Sequence, residues 1–139
     1  MIFKQKSKTF KQNKWVINAK LTDTHIRIAE ELLHKIENDQ DNIKITYGEL
    51  SKRLGGRPIP IGLNTFLGDL STLCEDNGLP LISTIVVNKQ TRVPGEGFMA
   101  LFFGHLKTEQ EKENQYIKCL QEVKEYKHWD KLKSILNII

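Results

Sequence analysis

The sequence predicts an α+β fold, a set of helices with one β-hairpin. Three observations predict it. Apolar residues recur at helical spacing over 23–38 and again over 62–78. A short capped segment, "KITYGELSKRLGG", lies between them. Two runs rich in β-branched and aromatic residues, 81–87 and 98–103, flank a loop containing Pro94, Gly95 and Gly97.

Residues 1–20 form a leading arm. It holds six lysines (Lys4, Lys6, Lys8, Lys11, Lys14, Lys20), no acid, and Phe3, Phe10, Trp15 and Val16 without a clear period. A strand near 14–18 is allowed. Residues 23–38 read as the first helix. Ile26, Ala29, Leu33 and Ile36 fall on one face, Leu32 widens it, and Thr22 or Thr24 caps the start. The Asn- and Asp-rich stretch 38–42 ends it.

Ile43 and Ile45 then alternate with Lys44, which suits a very short strand. Thr46 sits three residues before Glu49, the spacing of a capping box, in which each side chain satisfies a backbone N–H of the other's turn. The helix buries Leu50 and Leu54 and stops at Gly55-Gly56. So short a helix is marginal alone and needs tertiary packing. In 62–78 the positions Leu63, Phe66, Leu67, Leu70, Leu73 and Cys74 make the clearest amphipathic stripe of the chain. The opposite face carries Asn64, Thr65, Gly68, Asp69, Ser71, Thr72, Glu75 and Asp76. The runs 81–87 and 98–103 are expected to pair as a hairpin. From Lys107 onward Tyr116, Leu120 and Val123, then Trp129, Leu132, Ile135, Leu136 and Ile139, suggest further helix whose stripe packs on the domain or on a second subunit.

Helix, short helix, longer helix, hairpin is the order of a winged helix-turn-helix. The expected organisation is a basic arm (1–20), a winged helix-turn-helix domain (21–104) and a C-terminal helical extension (105–139). The net formal charge of +4 is concentrated in the arm, since 21–104 is net −3. A basic arm suits an anionic partner, most often nucleic acid, or serves only as a solubilising end.

"ITYGELSKRLG" resembles the start of the winged-helix DNA-binding domain of O6-alkylguanine DNA alkyltransferases and alkyltransferase-like proteins, over about residues 43–88. The resemblance implies that Tyr47 lies near a DNA phosphate and that helix 62–76 faces a groove. The family's Pro-Cys-His-Arg nucleophile motif is absent; the region reads "LISTIVVNK", so alkyl transfer is not expected. Residues 77–98 also resemble a segment beside the helix-turn-helix of some bacterial HNH-type nucleases. That implies a reading module without the cutting module.

Other chemistry finds little support in the residues. His25, His34, His105 and His128 are scattered, and the pair sharing a helix lacks metal-ligand spacing. "GEGF" does not join a strand to a helix start as a phosphate loop does. Ser71 and Ser83 have no evident base, and Asp69, Glu75 and Asp76 suit a solvated face. Cys74 and Cys119 are expected as reduced, buried thiols of a cytoplasmic protein. No cofactor, no metal, no secretory signal and no membrane span is expected.

The expected function is therefore non-enzymatic binding of double-stranded DNA, for regulation or DNA protection. Lys52, Arg53, Arg57, Lys89 and Arg92 would meet phosphates, and Asn64, Thr65, Ser71 and Thr72 would read base edges. The alternative is a phage or mobile-element protein that binds and inhibits a host nuclease or defence protein. The C-terminal stripe allows a homodimer.

Overall fold

A computed structural model describes residues 21–138. The basic arm, with its lysines, its aromatics and the strand expected near 14–18, lies outside the described residues. The rest is α+β and mostly helical. In order come α1 (Asp23–Asn38), β1 (Ile45–Thr46), α2 (Tyr47–Arg53), α3 (Leu63–Asp76), β2 (Val86–Val87), α4 (Glu96–Phe103), α5 (Glu109–Glu125) and α6 (Asp130–Leu136), with short 3-10 turns at Pro60–Gly62 and Ile82–Ile85.

Helix α1 begins where its cap residues dictate. Thr22 accepts the backbone N–H of His25, and the His25 ring takes the N–H of Thr22 in return. Its apolar stripe is buried through Ile28, Ala29, Leu32, Leu33 and Ile36. For α2, the Thr46 hydroxyl accepts the N–H of Glu49 at 3.0 Å. The return half of the expected capping box is not made. Glu49 bonds Arg53 one turn on instead, at 2.9 Å. Gly55 and Gly56 follow with φ of +88° and +91°, a left-handed path that side chains with a Cβ resist. They turn the chain sharply towards α3.

The hairpin expected from 81–87 and 98–103 does not form. Residues 82–85 make a 3-10 turn, and only Val86–Val87 is extended. β2 pairs in parallel with β1, Ile45 opposite Val86 and Thr46 opposite Val87, in a sheet of two strands. "FMALFF" is helical within α4, started after Pro94-Gly95 and stopped at Gly104. Aromatic residues favour strands only as far as the pleated surface gives them neighbours. Here Phe98 and Phe103 instead pack against Tyr116 and Cys119 of α5, forming a second apolar cluster.

The main core joins α1, α2, α3 and the 82–86 segment. Val123, Trp129, Leu132 and Leu136 enter the same cluster, so these positions of the C-terminal stripe are buried within the chain, with Leu120 and Ile135 partly buried against them. Leu50, Leu63 and Leu70 are fully enclosed. Truncating one such leucine to alanine costs about 2–5 kcal/mol. No helix of the described residues is long and apolar enough to cross a membrane.

Candidate nucleic-acid interface

Tyr47 opens α2 with its ring half-buried, and its hydroxyl accepts the N–H of Gly95 at 2.9 Å. Burial raises its pKa, partly opposed by that hydrogen bond. This contact draws the 88–95 loop against the N-terminal ends of α2 and α3. Between them lies a groove lined by Tyr47, Pro60, Ile61, Asn64, Asn88 and Gly95, with no charged side chain in its wall.

The loop is internally bonded. Asn88 accepts the N–H of Arg92 through its backbone and that of Gln90 through its side chain. Arg92 has a φ of +63°. Lys44 Nζ donates to the Arg92 carbonyl at 2.9 Å and sits 5.4 Å above the Tyr116 ring. Burial lowers the Lys44 pKa, and the nearby Arg92 charge lowers it further. The backbone at Arg92 is thus fixed, and the side chains of Lys89 and Arg92 are exposed at the tip of the loop.

Lys52 and Arg57 are exposed at the end of α2 and in the following turn. Arg53 is not open in the same way. It reaches Glu49 at 2.9 Å and Glu31 at 3.7 Å. Asn64 and Thr65 are exposed in the first turn of α3, whereas Thr72 is half-buried.

Ser71 requires a correction. It is wholly buried, accepts the backbone N–H of Ser83 at 2.9 Å and bonds the Ser83 hydroxyl at 2.6 Å. Asn64, Gly68 and Ser71 descend along one face of α3. Leu101 of α4 lies over Gly68, 3.5 Å from where a Cβ would stand, and the 82–85 turn closes over Ser71. Of these three positions only Asn64, in the first turn, is open. Between α3 and α4 is a cavity of about 170 Å³ lined by Tyr47, Asn64 and Thr65 together with Leu67, Phe98 and Phe102, which belong to the two apolar clusters.

Asp69, on another side of α3, bonds His25 Nε2 at 2.8 Å. Because His25 Nδ1 accepts the Thr22 backbone N–H, the ring proton sits on Nε2 and is directed at Asp69. Phe66 meets the same ring edge-on at 4.7 Å. The cluster fastens the start of α1 to α3. Cys74 is fully buried, and burial pushes its thiol up to about 12, leaving it protonated and unreactive at neutral pH. Among the described residues no group of three His, Cys, Asp or Glu side chains is arranged to hold a metal ion.

Asn88, Lys44 and Gly95 were missed as parts of this surface. Asn88 carried a local signal, an Asn two residues before a backbone N–H it can cap. Lys44 and Gly95 carried none, because both join the site through partners 48 residues away. No family model matches the chain, and no curated protein or solved structure is similar to it.

Proposed function

We propose that the protein is a non-enzymatic binder of double-stranded DNA. Its contact surface is the groove between the first turn of α3 and the 88–95 loop, and that loop takes the place of a wing. The observation that carries the reading is the fringe of this groove. Arg57 lies on the turn forming one lip, and Lys89 and Arg92 lie on the loop forming the other. None of the three is bonded to a carboxylate among the described residues. The wall between them offers uncharged donors and acceptors at Asn64 and Asn88. Cations that meet phosphates around side-chain amides able to read base edges are what duplex recognition requires. The resemblance of 45–55 to an alkyltransferase winged helix and the lysine arm support the same reading.

Replacing Lys52, Arg57, Lys89 and Arg92 together by alanine abolishes retention of a short duplex at low salt while leaving thermal melting intact. Retention equal to that of the wild type removes the proposal.

A second reading, an interaction protein of a phage or mobile element that inhibits a host nuclease or defence protein, is favoured by Leu101. That side chain is 58% exposed beside the α3–α4 cavity. A stoichiometric protein partner that survives nuclease treatment and high salt in a pull-down supports it.

A further inference from the structure

Three consecutive apolar residues stand in solvent just ahead of α3. Ile59 is 59% and Ile61 76% exposed, and Pro60 between them is exposed as well. Ile28, Ile36, Ile45, Ile82 and Ile85 are enclosed almost completely, and the other strongly exposed isoleucine among the described residues, Ile117 at 57%, stands on α5 without an exposed apolar neighbour in the chain. An exposed run of this kind is out of place on a surface unless something covers it in use.

The knob is stiff. The Ser51 hydroxyl donates to the Pro58 carbonyl at 2.7 Å, the Gly62 N–H to Ile59 at 2.8 Å, and the Leu63 N–H to Pro60. Pro58 and Pro60 have their φ angles fixed by their rings. A projection already held in one shape loses little conformational entropy on insertion.

Its surroundings select the partner. Pro60 and Ile61 form a lip of the uncharged groove, with Arg57 exposed two residues before Ile59 and Lys89 beside Asn88 across the groove. An apolar tip with a cation on its own turn and another on the loop across the groove fits a ligand that is anionic outside and apolar within. Duplex DNA is built that way, with phosphates on the rim and stacked bases inside.

We propose that Ile61, backed by Ile59 and Pro60, is a wedge that enters between adjacent base pairs, unstacks them and bends the duplex. The inference rests on the duplex-binding reading above. Apolar side chains, isoleucine and proline among them, act in this way where a protein kinks DNA. Pyrimidine–purine steps open most readily, so a TA step is the preferred point of entry.

The test uses the full chain and a duplex of about 14 base pairs with one central TA step. The adenine of that step is replaced by 2-aminopurine, whose fluorescence rises on unstacking, and an end label reports binding by anisotropy. With the wild type, fluorescence rises several-fold as the duplex saturates. The Ile59→Ala/Ile61→Ala variant, titrated to the same saturation by anisotropy at whatever affinity it retains, gives no rise. A thermal melt beside each titration confirms folding, and single Ile61→Ala carries the comparison should the double variant melt early. Wild-type binding without a rise, or an equal rise with the alanine variants, overturns the wedge and leaves duplex binding standing. No anisotropy change with wild type at low salt overturns both.

Discussion

The Tyr47 hydroxyl and the Gly95 backbone N–H are joined at 2.9 Å across 48 residues of sequence. With the Lys44 bond to the Arg92 carbonyl, this contact ties the C-terminal half of the 88–95 loop to residues 44–47, ahead of and at the start of α2. The candidate surface exists because of these straps. Without them Lys89 and Arg92 would belong to a loop with no fixed relation to α3.

Tyr47→Phe removes the acceptor and keeps the ring. The expected cost is about 0.5–1.5 kcal/mol of stability. Hydrogen exchange at the Gly95 amide accelerates, and affinity for a duplex falls with it. Unchanged protection of that amide would show that the strap does not hold the loop.

Ser71→Ala separates a buried role from a DNA-reading one. Ser71 is the acceptor for the Ser83 N–H, so its loss leaves a buried donor without a partner. Denaturant unfolding is expected to show a loss of about 1–3 kcal/mol. Duplex affinity and its salt dependence stay as in the wild type. A selective loss of affinity with unaltered stability would return Ser71 to the interface.

Salt dependence resolves the cations one by one. Each phosphate neutralised contributes about −0.9 to the slope of log affinity against log salt. Arg57→Ala, Lys89→Ala and Arg92→Ala should each flatten the slope by about that amount. Arg53→Ala should flatten it less, because that guanidinium is already engaged by Glu49 and Glu31. Equal effects from all four would mean that the ion pairs open on binding.

The protein is expected to lose stability in alkali. Burial raises the Cys74 thiol from its ordinary 9.0 to about 12 and the Tyr116 hydroxyl from 10.0 to about 12. Each group stays protonated in the fold at a pH where the unfolded chain has released the proton. The contribution of both is complete below about pH 9 and declines as pH rises towards about 12. Denaturant midpoints taken from pH 8 upward should fall, and Cys74→Ala should flatten the decline. A midpoint constant to pH 11 would contradict this.

The sequence by itself determined α1, α2 and α3. Their signals are local: the spacing of Ala29, Leu33 and Ile36, the Thr46 cap, the Gly55-Gly56 stop, and the stripe from Leu63 to Cys74. Such patterns act within a few turns of chain, and tertiary contacts reinforce them here. The cations at 57, 89 and 92 were also legible as exposed polar positions. Only the tertiary structure decided the rest. Val86–Val87 had to meet Ile45–Thr46 across 41 residues, and "FMALFF" took helical form because α5 and α3 offered it curved apolar partners rather than a neighbouring strand. Asn64 and Ser71 share a helix face and differ in fate, one open and one sealed, because α4 and the 82–85 turn cross that face after its first turn. Periodicity says which side of a helix is polar; what lies against that side is set by segments far along the chain.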